Sequence, residues 1–132
     1  MYGLCKVTGE LLCQYYHKKF GVDVRGIRLP GVISWKALPG GGTTDYAVDI
    51  FYEALKKGKY VSFLGPDSYL PMMFMDDAVN SIIQIMMAPP EKIKNRMSYN
   101  ITGMSFSPKE LAAEIKKKLP DFEIEYKPDE RQ

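Results

Sequence analysis

Segments with a helical spacing of apolar residues alternate along this chain with segments rich in strand-forming residues. The first pattern predicts four helices, over residues 2–20, over 44–57, after Asp76 and after Ser107. The second pattern predicts strands at 22–29, 60–64, 72–75, 97–102 and 122–126. Such an alternating order of helices and strands predicts an α/β fold.

The composition is that of an ordinary globular domain, with 132 residues, 45% hydrophobic and 26% charged. The net charge of +2 is too small to predict a nucleic-acid partner, and no aromatic and basic stripe accompanies the lysines. No run of about 18 apolar residues predicts a membrane span. Cys5 and Cys13 would lie about 12 Å apart along the first helix, which is too far for a mutual disulfide. Free thiols fit a reducing compartment and predict a cytoplasmic protein.

Tyr2 and Lys6 lie four residues apart in the first predicted helix. Residues at this spacing share one helix face, with Cβ atoms about 5–6 Å apart. A lysine ammonium in that position favours the phenolate form of a tyrosine, which can then exchange a proton with a substrate oxygen. The pair is therefore a candidate catalytic pair, although tyrosine and lysine also occur at this spacing by chance in many helices.

A glycine-rich loop precedes the second predicted helix, with the sequence Pro-Gly-Gly-Gly-Thr-Thr-Asp at residues 39–45. Glycines let the backbone approach a ligand closely, and a helix N-terminus offers free N–H groups to an anion. Gly42, Thr43 and Thr44 are therefore candidate binding residues, and the alternative is a flexible loop followed by a helix cap. The loop lacks the G-x-G-x-x-G spacing of a dinucleotide-binding turn.

Other polar and aromatic residues predict no additional site. Asp76 and Asp77 are neighbouring carboxylates without histidine or further acids beside them, which makes a poor ligand set, so we predict a helix cap and no metal. His17 is predicted to be a surface residue. Trp35 is predicted to anchor a core or an interface.

Together these segments resemble the extended short-chain dehydrogenases, an NAD-dependent epimerase/dehydratase-like family, and within it the threonine 3-dehydrogenases. Tyr2 and Lys6 match the family's Tyr-x-x-x-Lys motif. The run Pro-Gly-Gly-Gly-Thr-Thr-Asp-Tyr-Ala at residues 39–47 is typical of threonine dehydrogenases rather than of sugar-nucleotide epimerases. Further matching segments lie at residues 28–34, 70–77, 99–100 and 104–108. The resemblance spans essentially the whole chain.

The resemblance implies the C-terminal part of a Rossmann-type fold with its small substrate-binding subdomain. Residues 2–34 would form the end of the Rossmann-like region, and residues 35–132 would form mainly the substrate-binding subdomain. The implied reaction is oxidation of the L-threonine side-chain alcohol by NAD to give 2-amino-3-oxobutanoate.

The resemblance also implies a role for each candidate residue. Tyr2, assisted by Lys6, would take the hydroxyl proton of the substrate. Tyr2, Lys6 and Pro30 would contact the cofactor, Lys6 through the nicotinamide ribose and Pro30 beside the nicotinamide. The amino-acid end of threonine would be held by Gly42, Thr43 and Thr44.

The chain also departs from the family pattern. The family's glycine-rich turn, its first five strands and its catalytic serine or threonine should all precede Tyr2. We therefore expect a C-terminal fragment that is inactive alone, with the N-terminal half supplied separately or a homodimer formed through the first helix. Two alternatives stay open, namely a non-catalytic remnant or dimerisation module, and part of a sugar-nucleotide epimerase.

Overall fold

A computed structural model describes residues 1–130, and the predicted alternation of helices and strands is confirmed within them. The described residues form four α-helices: α1 (Tyr2–Phe20), α2 (Tyr46–Lys57), α3 (Met75–Met87) and α4 (Pro108–Lys116). Their strands are β1 (Ile27–Arg28), β2 (Gly31–Ile33), β3 (Lys59–Ser62), β4 (Leu70–Phe74), β5 (Tyr99–Asn100), β6 (Met104–Phe106) and β7 (Glu123–Tyr126). None of the described helices combines the length and the apolar character needed to cross a membrane.

The helix α1 has the predicted limits because its C-terminal end is determined locally. Gly21 takes a left-handed conformation with φ 68°, which glycine adopts without steric cost, and its N–H donates to the His17 carbonyl at 2.9 Å. Lys18 and Lys19 lie in the last turn, where positive charge complements the helix dipole. The predicted helix over residues 2–20 is confirmed.

The predicted strand over residues 22–29 is wrong in length, because only Ile27–Arg28 pair, in parallel with Tyr99–Asn100. The preceding residues are held by side-chain contacts instead. The Arg25 guanidinium donates to the carbonyls of Ile85 and Met86 at 2.7 Å and of Ala88 at 2.6 Å. These carbonyls end α3, where the helix leaves acceptors without partners, so Arg25 stabilises this helix end.

Two further expectations about helix ends had different outcomes. The capping box at the start of α4 is confirmed, since the Ser107 hydroxyl accepts from the Glu110 N–H at 3.3 Å and the Glu110 carboxylate accepts from the Ser107 N–H at 3.1 Å. The helix α3 begins one residue before Asp76, so the expectation that Asp76 precedes and caps it is wrong. Asp76 and Asp77 instead lie in its first turn, where negative charge complements the positive end of the dipole.

The chain divides into two compact units, and each is assembled from separate segments of sequence. The first unit contains Met1–Leu29 and Asp76–Ile101, and its strands β1 and β5 pair in parallel. The second unit contains Pro30–Met75 and the residues from Thr102 onward. The assignment of residues 2–34 to a Rossmann-like region and of residues 35–132 mainly to a substrate-binding subdomain stays a prediction.

Two sheets form in the second unit. In one, β4 lies between β2 and β6, pairing in parallel with β2 and antiparallel with β6. In the other, β3 pairs in parallel with β7. The parallel pairs agree with the α/β architecture, since a parallel connection needs a crossover such as α2.

The core of the second unit is built around α2. Tyr46, Ala47, Ile50 and Ala54 are buried along one stripe of the helix. Residues of the strands and of α4 complete this core: Tyr60, Leu64, Met72, Ala112, Ile115 and Phe122. Phe51 and Leu55, apolar residues of the same helix, are exposed.

The buried phenol of Tyr46 makes this unit less stable at alkaline pH. Its side chain is 0% exposed, its hydroxyl donates to the Phe106 carbonyl at 3.2 Å, and burial raises the pKa of Tyr46 to about 12. The folded protein therefore keeps a proton that the unfolded chain releases near pH 10, so stability falls as the pH rises from about 10 to 12.

The free energy of unfolding should fall less steeply above pH 10 in Tyr46→Phe than in wild type. The difference should be at most about 3 kcal/mol. The measurement is chemical unfolding at a series of pH values between 8 and 12. Tyr52→Phe is the matched control. It removes another hydroxyl of α2 that donates to a carbonyl, that of Trp35 at 2.9 Å, but Tyr52 is only partly buried, so the variant should keep the wild-type slope. Equal slopes for Tyr46→Phe and wild type would contradict the prediction.

Candidate functional site

Tyr2 and Lys6 are brought together by the first two turns of α1, as their spacing predicts. The Lys6 ammonium lies 5.2 Å from the centroid of the Tyr2 ring, within the range of a cation–π contact. The Tyr2 side chain is 78% exposed. The predicted proximity is therefore observed, and the catalytic role of the two residues stays a prediction.

Tyr2 and Lys6 line a cavity of about 620 Å³ within the first unit. Glu10 and Cys13 continue its wall along α1, one to two turns further on. The opposite wall comes from β1 and the segment before β5: Gly26, Ile27, Arg28, Leu29, Met97 and Ser98. The cavity thus combines a phenol, an ammonium and a carboxylate of one helix face with a guanidinium of a neighbouring strand.

The pairing of Glu10 with Arg28 was not predicted from the sequence. The Arg28 Nε donates to the Glu10 carboxylate at 2.6 Å, and its Nη2 forms a second, shorter contact with the other carboxylate oxygen. The hydrogen bond from Arg28 holds the pKa of Glu10 below its usual range. The sequence did contain one signal, since Glu10 follows Lys6 by four residues and therefore shares its helix face.

The glycine-rich loop binds a carboxylate, but that carboxylate belongs to this chain. The N–H groups of Gly40 and Gly42 donate to one oxygen of Asp45 at 2.7 and 2.9 Å. Thr43, Thr44 and Asp45 form a short 3-10 turn immediately before α2. The N–H groups of Gly40 and Gly42 are therefore already bonded within the chain, and the binding role of Gly42, Thr43 and Thr44 stays a prediction.

Thr44 is held in place by the close approach of Gly31. A side-chain carbon added at Gly31 would lie 2.6 Å from the Thr44 Cβ and 2.5 Å from the Met72 sulfur, distances that real contacts do not reach. Pro30, the predicted nicotinamide neighbour, directly precedes Gly31. Pro30, Gly42, Thr43 and Thr44 all belong to the second unit, whereas Tyr2 and Lys6 belong to the first.

The other residues that the sequence analysis discussed had different outcomes. His17 is half-buried and its Nδ1 contacts the Val22 carbonyl at 2.9 Å, so it is not simply a surface residue. Trp35 is not part of a core, because its side chain is exposed beside the Lys36 ammonium. Both cysteines are free thiols, and no group of at least three acidic, histidine or cysteine side chains suited to a metal occurs within residues 1–130.

The sequence of residues 1–102 matches the family described as the NAD dependent epimerase/dehydratase family. The chain belongs to this family. A curated relative from Staphylococcus haemolyticus, an uncharacterized epimerase/dehydratase, is 54% identical over 129 residues, which cover 98% of this chain and 41% of the relative.

Solved structures of threonine dehydrogenases are similar to the chain in both sequence and fold. The GalE-like L-threonine dehydrogenase from Cupriavidus necator in its apo form is 54% identical with a TM-score of 0.95, covering 99% of this chain and 47% of that protein. The L-threonine dehydrogenase from Phytophthora infestans is 57% identical with a TM-score of 0.95, covering 99% of this chain and 42% of that protein. The predicted resemblance and fold class are thereby confirmed, and the chain spans less than half of each relative.

We expect Gly31→Ala to displace Thr44 and to destabilise the second unit by about 1–3 kcal/mol, because neither Thr44 nor the fully buried Met72 leaves room for a methyl group. Chemical unfolding followed by circular dichroism measures the loss. Gly40→Ala is the matched control, since its added carbon meets only the Asp45 carboxylate at an ordinary 3.7 Å. Equal stability of Gly31→Ala and wild type would show that Thr44 is not held in this way.

Proposed function

We propose that this chain supplies the catalytic pair and the substrate-binding residues of an NAD-dependent L-threonine 3-dehydrogenase. The observation that carries the proposal is the placement of Tyr2 and Lys6 on one helix face at a cavity, in a chain 54–57% identical to two L-threonine dehydrogenases. Activity belongs to the full-length protein in this proposal, and the chain alone is expected to be inactive.

Tyr2 acts as the acid–base group of the proposed reaction. In its phenolate form, the oxygen of the exposed Tyr2 side chain accepts the proton of the threonine side-chain alcohol as that alcohol is oxidised to a ketone. The Lys6 ammonium, one turn further along α1, stabilises the negative charge on the phenol oxygen. The product is 2-amino-3-oxobutanoate.

The residues around the cavity fit the nicotinamide ribose of NAD. Lys6 offers a charged donor to ribose hydroxyls, Tyr2 offers a hydroxyl, and the cavity of about 620 Å³ has room for this part of a dinucleotide. Pro30 is the proposed apolar neighbour of the nicotinamide. When bound, NAD supplies the acceptor for the hydride that leaves the threonine carbon.

Thr43 and Thr44 are proposed to hold the amino-acid end of threonine through their hydroxyls. Gly42 is proposed to contact the substrate through backbone other than its N–H, since that group donates to Asp45. Between Gly31 and Gly58 the sequence contains no arginine, the residue that usually recognises a diphosphate. This composition favours a small amino acid over a sugar nucleotide and so disfavours the epimerase alternative.

The exposed apolar side chains of α1 support a protein partner. Leu4, Val7, Leu11 and Leu12 are each more than half exposed, and contiguous exposed apolar surface commonly marks an interaction site. Two partners fit this surface: a second copy of the chain, as in the predicted homodimer, or the N-terminal half that the relatives possess. A cytoplasmic location stays a prediction.

In a full-length protein that carries this segment, we expect Tyr2→Phe to lower kcat with L-threonine by about 10²-fold or more, because the proton acceptor is lost while the ring stays. NADH absorbance measures turnover, and calorimetric titration should show nearly unchanged NAD binding. Tyr15→Phe, on the same helix, is the matched control and should retain activity. Near-normal turnover by Tyr2→Phe would remove this residue from the mechanism.

Replacing Thr43 and Thr44 together by alanine should raise KM for L-threonine, because the substrate loses two polar contacts, and should change NAD affinity little. Steady-state kinetics over a range of threonine concentrations measures the change. Thr102→Ala is the matched control, since its hydroxyl lies in the second unit and makes only a long contact of 3.4 Å with the Met104 carbonyl. An unchanged KM in the double variant would exclude both residues from the substrate site.

A further inference from the structure

Lys6 has two potential partners on its own helix, Tyr2 one turn before it and Glu10 one turn after it. Residues four apart on a helix are neighbours, so a lysine at position 6 can form an ion pair with a glutamate at position 10. Such a pair would draw the ammonium away from the tyrosine ring. In the structure the ammonium instead lies over Tyr2 at 5.2 Å.

Glu10 is held by Arg28, and the geometry of that contact explains why it is not held by Lys6. The planar guanidinium donates to both carboxylate oxygens at once, through Nε at 2.6 Å and through Nη2. Paired contacts of this kind are stronger and more directional than a single lysine contact. The Arg28 Nη1 also donates to the Asn100 side chain at 3.3 Å, which fixes the guanidinium against β5.

Five charged or titratable side chains line this cavity. The helix α1 contributes Tyr2, Lys6, Glu10 and the Cys13 thiol, and β1 contributes Arg28. The segment before β5 contributes the neutral Met97 and Ser98, and the Ser98 hydroxyl also interacts with the Glu10 carboxylate. Without Arg28, the cavity would contain one ammonium and one carboxylate four residues apart.

We propose that Arg28 is a positioning residue that neutralises Glu10 and thereby keeps Lys6 available to Tyr2. Arg28 lies on β1 and acts through Glu10, so it contacts neither reacting group. This inference rests on the proposed dehydrogenase function. The Glu10–Arg28 pair is then an electrostatic requirement of the Tyr2–Lys6 pair as well as a link between α1 and β1.

The test uses Arg28→Met, Glu10→Gln and the double variant in a full-length protein that carries this segment. Arg28→Met should lower kcat by about tenfold, a part of the effect of a positioned acid–base group. The acidic limb of its kcat/KM profile should move to higher pH, because the released carboxylate adds negative charge beside the phenol. Adding Glu10→Gln should restore both quantities towards wild type, since it removes the carboxylate that Arg28 neutralised.

A purely structural role for the pair gives a different pattern. In that case Arg28→Met would lower the unfolding midpoint and kcat without moving the acidic limb, and the second substitution would worsen the defect. Either result would overturn the inference. Lys59→Met is the matched control, because it breaks an exposed ion pair with Glu125 in the second unit and should leave the pH profile unchanged.

A second measurement separates this inference from the proposed function, because it needs no turnover. Acetic anhydride at a fixed pH labels lysines, and peptide mass spectrometry compares Lys6 with Lys18 on the same helix. Labelling of Lys6 should fall in Arg28→Met, where Glu10 captures the ammonium, and recover in the double variant. Unchanged labelling of Lys6 would overturn the inference even if the enzyme oxidises threonine. Normal turnover by Tyr2→Phe would instead contradict the proposed function.

Discussion

Helical periodicity places Tyr2, Lys6 and Glu10 on successive turns of one face of α1, and the chemistry that we propose for the first unit depends on this spacing. An ammonium between a phenol and a carboxylate can associate with either group. Arg28 removes this ambiguity by taking the carboxylate. In our proposal, the Tyr2–Lys6 pair therefore depends on an ion pair to a neighbouring strand as well as on its own sequence motif.

The second unit depends on burial rather than on charge. The completely buried Tyr46 and its neighbours on α2 fix the start of this helix, and with it the turn that contains Thr43 and Thr44. Asp45 closes the glycine-rich loop onto this start by accepting from two backbone N–H groups. The loop is thus organised by an internal carboxylate, so we propose the threonine hydroxyls, and not the glycine N–H groups, as the contacts to substrate.

Features that depend on neighbouring residues could be predicted from the sequence, whereas those that depend on distant residues could not. The end of α1 at Gly21 and the capping box at Ser107 are local and were predicted correctly. The strand before Leu29 was predicted too long, because Arg25 contacts carbonyls about 60 residues away. The Glu10–Arg28 pair joins residues 18 apart, and only the helical position of Glu10 could have indicated it.

We propose that these 132 residues carry the catalytic and substrate-binding groups of a threonine dehydrogenase. The most direct measurement replaces the corresponding segment of the Cupriavidus necator L-threonine dehydrogenase with this chain and follows NADH formation. We expect the hybrid to oxidise L-threonine and to leave UDP-galactose unchanged. A folded hybrid that binds NAD but oxidises no L-threonine would contradict the claim.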